Sequence, residues 1–128
     1  MKGFFVMTGG FAGAISRYGF GEWIDPVHGF PLGTLLINLI GCFLLGWFLT
    51  YVSRSPRVKP EVVLMIGTGF IGSFTTFSTF SVETIRLVQA GSVLLAVLYV
   101  LLSTLAGLLL AEAGRRWALL GGKEGGKE

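Results

Sequence analysis

Gly67-Thr68-Gly69-Phe70-Ile71-Gly72-Ser73-Phe74-Thr75-Thr76-Phe77-Ser78-Thr79-Phe80-Ser81 is the stretch that decides how this chain folds. It lies within the uncharged run 62–82. That run is long enough to cross the hydrocarbon of a bilayer, which takes about 20 residues of helix. Yet three glycines here are followed by six hydroxyl residues within nine positions. Each glycine costs about 0.8–1 kcal/mol relative to alanine in a helix, and Ser and Thr are weak helix formers as well. In hydrocarbon, every backbone group released from a helix needs a partner inside the protein. This composition predicts a helix broken near its middle, whose freed carbonyls and amides line a cavity, face an ion or pack within protein. An intact helix, with hydroxyls bonded to carbonyls one turn earlier, is the other reading the residues admit.

Outward from this stretch, the charges divide the rest of the chain in the same way. Further uncharged runs lie at 3–16, 26–53 and 87–111. The first reaches spanning length if Arg17 sits near a helix end and snorkels to the headgroups. The expectation is an all-α membrane protein with four transmembrane helices at about 3–21, 31–52, 60–88 and 92–116, the third of them broken. Together they form a single domain at 1–120, followed by a flexible tail at 121–128 that repeats Gly-Gly-Lys-Glu. Pro31 and the pair Pro60-Glu61 suit helix starts, and Gln89-Ala90-Gly91-Ser92 reads as a tight turn.

Composition excludes most alternatives. Apolar residues make up 52% and charged residues 13%, against about 25% charged in an ordinary soluble domain. Cys42, the lone cysteine, cannot form an intramolecular disulfide. His28 is the lone histidine and falls in a loop, which removes zinc-protease and Ser-His chemistry from the membrane. No glycine-rich motif ends in Lys-Ser or Lys-Thr. Neither an enzyme nor a nucleic-acid partner is expected; the surroundings are the lipid bilayer. Lys2, the apolar run and Ala12-Gly13-Ala14 loosely match a cleaved signal, but Gly3, Gly9, Gly10 and Gly13 make a poor signal core. Gly9 and Gly13 have the spacing that lets two helices approach closely, a spacing that a glycine-rich chain also produces by chance.

A few polar groups remain inside the spans. Asn38 has Thr34 one turn before it and Gly41 one turn after, and its amide serves equally as glue between helices or as a donor to an ion. Tyr99, Ser103 and Thr104 give the last helix a polar face. Phe74, Phe77 and Phe80 recur every three residues and form a stripe on one face of a regular helix. Their positive ring edges suit an anion, and simple packing explains the stripe as well. Glu83 and Arg86 are spaced to pair on a helix surface or to stand at a pore mouth. Arg17 is either an interface anchor or a source of field for anions. The set is a track of neutral donors, and physics alone leaves anion and cation both open, since hydroxyl oxygens bind cations as their protons meet anions.

Three motifs carry a resemblance. They are Gly9-Gly10-Phe11-Ala12-Gly13-Ala14-Ile15-Ser16-Arg17-Tyr18, Gly33-Thr34-Leu35-Leu36-Ile37-Asn38-Leu39-Ile40-Gly41, and Gly69 through Phe80. In this order the chain resembles the Fluc fluoride channels, also called the CrcB family, over residues 3 to about 116. The resemblance implies a fluoride-selective channel that exports fluoride passively and protects the cell. It implies an antiparallel homodimer with two pores, placed in the plasma membrane of a bacterium or archaeon. It further implies a structural sodium ion at the dimer centre, not transported, bound by the backbone carbonyls of Gly72 and Thr75. Phe77 and Phe80 would lie along the pores, with hydroxyls from Thr76, Ser78 and Thr79. Asn38 would be the pore asparagine, Arg17 the arginine near the vestibule and Glu83 an acidic pore position. Tyr99 and Ser103 match more loosely.

Orientation sets a tension with that dimer. Lys2, Arg54, Arg57, Lys59, Arg115 and Arg116 share one side of the four-span arrangement, against Arg17 and Arg86 on the other. Both ends are then expected in the cytoplasm, whereas an antiparallel homodimer needs one chain to insert both ways. Either dual insertion tolerates the bias, or a paired homologous subunit completes the channel. The alternative function is a small multidrug-resistance-type proton-coupled transporter, which needs a membrane-embedded glutamate in the first helix. This first helix has no acidic residue before Glu22. A non-transporting assembly protein would explain the small-residue packing but not the hydroxyl cluster.

Overall fold

The computed structural model describes residues 1–121, all helical apart from short connections. From residue 122 onward the expected tail lies outside the described residues; Gly121 itself closes the last helix. Helix α1 is Lys2–Trp23 and α2 is Leu32–Arg54. The third stretch, Pro60–Gln89, is divided. It begins as α3, Pro60–Val63, widens into a π-helical segment, Leu64–Ile71, and returns to one turn, α4, Gly72–Phe74. After the break it resumes as α5, Ser78–Gln89. The last helix, α6, is Val93–Gly121 and runs past the expected end at 116. Its extension is tied to α2 by Arg54, whose Nη1 donates to the Leu119 carbonyl at 3.2 Å.

Three helical stretches are long and apolar enough to cross a membrane: Leu32–Arg54, Pro60–Gln89 and Val93–Gly121. Helix α1 has comparable length, 22 residues, but its glycines and Arg17 dilute its apolar character. The connections show their sequence causes. Pro31 precedes the first turn of α2 rather than lying inside it, and its carbonyl accepts the Leu35 N–H at 3.2 Å. Pro60 opens α3 after Lys59, where its missing N–H has no helical partner to lose. The α5–α6 turn depends on Gly91 at φ +80, while Ser92 and Gly91 donate back to Leu87 and Val88. That pattern closes the helix with a left-handed residue, which glycine adopts without strain.

Glycine also sets the packing. Helix α1 lies along the π segment, and α2 lies along α6. A methyl group at Gly9 or Gly13 would run into the carbonyls of Met65 or Phe70, and at Gly46 or Gly114 into those of Ala111 or Phe43. Helix pairing inside apolar surroundings gains little from the hydrophobic effect, so such close backbone approach supplies the dispersion contact instead. The Gly9/Gly13 spacing is therefore a contact and not a coincidence of composition.

Candidate functional site

The break is built by α2. Thr75 leaves the helix at φ −77, ψ 158, and α5 does not restart until Ser78. Asn38 grips the next residue twice: its Oδ1 accepts the Thr76 N–H at 2.8 Å, and its Nδ2 donates to the Thr76 carbonyl at 2.9 Å. Gly41, three residues further along α2, is buried and leaves the space that the Thr75 methyl occupies. The hydroxyl of Thr76 then restarts the chain. It accepts the Thr79 N–H at 3.2 Å, donates to the Thr79 hydroxyl at 3.2 Å and lies 3.4 Å from that of Ser78. A threonine oxygen holding an N–H three residues on is the usual way to satisfy a helix start. Thr75, Ser81 and Thr84, by contrast, donate to carbonyls one turn earlier, so part of the cluster follows the intact-helix reading.

The break takes the helical donors from the carbonyls of residues 72–75, those of Gly72 and Thr75 among them. In an unbroken helix, Gly72 would receive the Thr76 N–H and Thr75 the Thr79 N–H. Asn38 takes the first donor and Thr76 Oγ1 takes the second. No turn of helix closes onto either carbonyl. Gly72 is exposed and Thr75 half-buried in the single chain, so both carbonyls are open to a ligand from outside it. No cluster of His, Cys, Asp or Glu suited to a metal occurs among the described residues, so any cation here would rest on neutral oxygen. Such donors fit a hard monovalent ion such as sodium.

The remaining polar side chains extend the site along the helices. Thr34, one turn before Asn38, donates to Glu83 Oε1 at 2.9 Å, and the Tyr99 hydroxyl donates to Glu83 Oε2 at 2.8 Å. Tyr99 is completely buried, with the Phe80 ring 5.0 Å and the Phe30 ring 5.5 Å away between centroids. One turn further along α6, Ser103 has a buried hydroxyl with no hydrogen-bond partner. It lines a cavity of about 430 Å³ with Asn38, Thr75, Thr76, Phe77 and Phe80. A second cavity of about 630 Å³ beyond Thr34 and Glu83 is bordered by Glu22, His28 and Arg86. The polar line thus runs from Asn38, Thr76 and Ser103, past Phe80, to Tyr99, Glu83 and Thr34.

Two expectations need correction, the aromatic stripe and the Glu83–Arg86 pair. Phe74 does not share a face with Phe77 and Phe80, whose ring centroids stay 5.9 Å apart, because the break turns the chain after Phe74. Phe74 is 3% exposed and stacks on Phe70, Phe77 is 79% exposed, and Phe80 lies against Tyr99. Glu83 does not pair with Arg86, since Thr34 and Tyr99 already hold its two oxygens. Arg17 is half-buried on α1 and lines neither cavity. Ser78 and Thr79 are exposed at the break. Thr34, singled out above only for its place one turn before Asn38, joins the site through its bond to Glu83.

Residues 4–115 match the family described as CrcB-like protein, Camphor Resistance (CrcB). The chain belongs to the CrcB family. Among its relatives, the fluoride-specific ion channel FluC of Oceanobacillus iheyensis is 54% identical over 119 residues, 93% of this chain and 92% of that protein. The fluoride-specific ion channel FluC 1 of Bacillus cereus strain ATCC 10987 is 52% identical over 111 residues, 85% of this chain and 81% of that protein. FluC 2 of Listeria innocua, also named a fluoride-specific ion channel, is 44% identical over 117 residues, 90% of each chain. This CrcB protein is accordingly a multi-pass membrane protein and not an enzyme.

Proposed function

We propose that this chain forms a passive, fluoride-selective channel that lets fluoride leave the cytoplasm and so limits its toxicity. The reading is carried by the line of uncharged donors around Phe77 and Phe80 at the helix break, in a chain 54% identical to a fluoride-specific ion channel. A small anion sheds its water only if protein donors replace it, and hydroxyl and amide groups do so without a fixed opposite charge that would hold the ion back. Asn38, Thr76, Ser78, Thr79 and Ser103 would serve in this way, with Phe77 and Phe80 along the path and Tyr99 and Glu83 towards its mouth. Arg17 would act at longer range through its field.

The working unit in this reading is an antiparallel dimer of four-span subunits, with α1 as the remaining span. A second copy, or a paired homologous subunit, would cover apolar side chains left exposed, Phe77 among them. The carbonyls of Gly72 and Thr75 would hold one structural sodium ion between subunits, which contributes a fixed positive charge near the anion path. The proton-coupled drug transporter finds no support, because α1 places no carboxylate inside the span.

Liposomes loaded with potassium fluoride and carrying the purified protein test the proposal. Fluoride is expected to leave rapidly once a potassium ionophore balances charge, while chloride-loaded liposomes retain their ion. Chloride passing at a comparable rate would overturn it.

A further inference from the structure

The Asn38–Thr76 pair links the wall of the cavity of about 430 Å³ to the carbonyls at the break. We infer that Asn38 is a positioning residue for the cation site: by engaging the Thr76 N–H, it keeps the Gly72 carbonyl open to sodium. The inference rests on the sodium reading above.

Hydrogen-bond accounting carries the argument. The Thr76 N–H is the donor that an α-helix assigns to Gly72. In the structure it goes instead to Asn38 Oδ1 at 2.8 Å. The orientation of the amide is fixed by its two bonds, since a flipped Asn38 would set its NH₂ against the Thr76 N–H and its oxygen against the Thr76 carbonyl. The other freed carbonyl does not depend on Asn38. Thr75 loses its donor to Thr76 Oγ1, within the same segment. Removing the Asn38 amide therefore frees the Thr76 N–H to compete for the Gly72 carbonyl and leaves the Thr75 carbonyl unaffected.

Gly41 belongs to the same device. It sits three residues after Asn38, buried against the Thr75 side chain, so α2 both holds the break and gives it room. A backbone hydrogen bond recovered by Gly72 competes with the cation for the same oxygen. A net hydrogen bond of about 1 kcal/mol per subunit corresponds to a loss of sodium affinity of about fivefold from one chain and roughly thirtyfold from two.

The test measures thermal unfolding of the purified full-length protein against sodium concentration, with N-methylglucamine replacing sodium at constant ionic strength. The wild type is expected to gain stability with a saturable midpoint, and Asn38→Leu to move that midpoint at least about fivefold upward. A second protein, Asn38→Asp, keeps an oxygen in place to accept the Thr76 N–H. Its sodium midpoint is expected at or below the wild-type value. If Asn38→Leu does not fold, Asn38→Asp decides alone, and an upward shift of its midpoint overturns the inference. A wild type that responds to sodium, with Asn38→Leu at the same midpoint, overturns the role of Asn38 and leaves the sodium reading standing. A wild type indifferent to sodium overturns both.

Discussion

Tyr99 and Glu83 are joined by a hydrogen bond of 2.8 Å that ties α6 to α5, and Thr34 adds α2 through the other carboxylate oxygen at 2.9 Å. Three helices therefore meet at one half-buried carboxyl group. Its neighbour in sequence, Arg86, takes no part. A carboxylate held only by neutral hydroxyls keeps its position without a cation beside it, which suits a path that must not trap an anion on a bound arginine.

Removing either hydroxyl should loosen this junction. Tyr99→Phe preserves the ring packing against Phe80 and Phe30, and Thr34→Val preserves volume, so each deletes one donor from Glu83. A loss of about 1–3 kcal/mol is expected for each. With Glu83→Gln as the background, the two effects should shrink, because the substitutions share a partner. Thermal unfolding of the purified protein checks this, and full additivity would contradict the shared junction.

The glycine contacts make a sharper contrast. Gly13→Ala and Gly46→Ala each drive a methyl group into a backbone carbonyl of the neighbouring helix, which cannot move aside as a side chain can. Gly19→Ala meets nothing within 4 Å. The first two should abolish or strongly reduce recovery of monodisperse protein. The third should be neutral or stabilising, by up to about 1 kcal/mol from helix propensity. Equal yields from all three would remove the close-packing account of the α1 and α2 contacts.

Phe77 and Phe80 separate stability from conduction. The Phe77 ring is 79% exposed within the chain, so Phe77→Ile should leave the melting temperature of the single subunit's fold nearly unchanged. Phe80 packs at 5.0 Å on Tyr99, so Phe80→Ile also disturbs the core, at about 1–3 kcal/mol. Both should lower fluoride efflux from liposomes by tenfold or more if ring edges replace water around the ion. Unchanged efflux in both variants would assign the rings to packing.

Much of this architecture was legible because charge is so costly in hydrocarbon that the uncharged runs mark the helices directly. The break was legible for a related reason: glycines and hydroxyls at 67–81 weaken the helix where no water can compensate. What periodicity could not give was the consequence of the break itself. A three-residue repeat predicts one face only while the helix continues, so Phe74 parts from Phe77 and Phe80 once Thr75 turns extended. Nor does local spacing reveal that Glu83 prefers Thr34 and Tyr99, residues far from it in sequence, to Arg86 on its own helix. The π segment was equally hidden, since Gly69 within it matters through the Val6 carbonyl of α1 that it approaches.

Membrane orientation gives the last prediction. With α1 counted as a fourth span, as proposed above, six Lys and Arg residues fall at the span ends on one side and two on the other, a bias that ordinarily fixes a single topology. An antiparallel homodimer requires both topologies from this same chain. With Cys42 replaced by alanine, single cysteines at Ser53 and Ala90 place one label at each end of the bundle, at exposed positions. In intact cells a membrane-impermeant maleimide should reach roughly half of each population if insertion is dual. Complete labelling at Ala90 with none at Ser53 means one orientation only. Were such a chain, expressed alone, still to conduct fluoride, the antiparallel homodimer would be untenable; were it silent, a paired subunit of opposite charge bias would be the missing half.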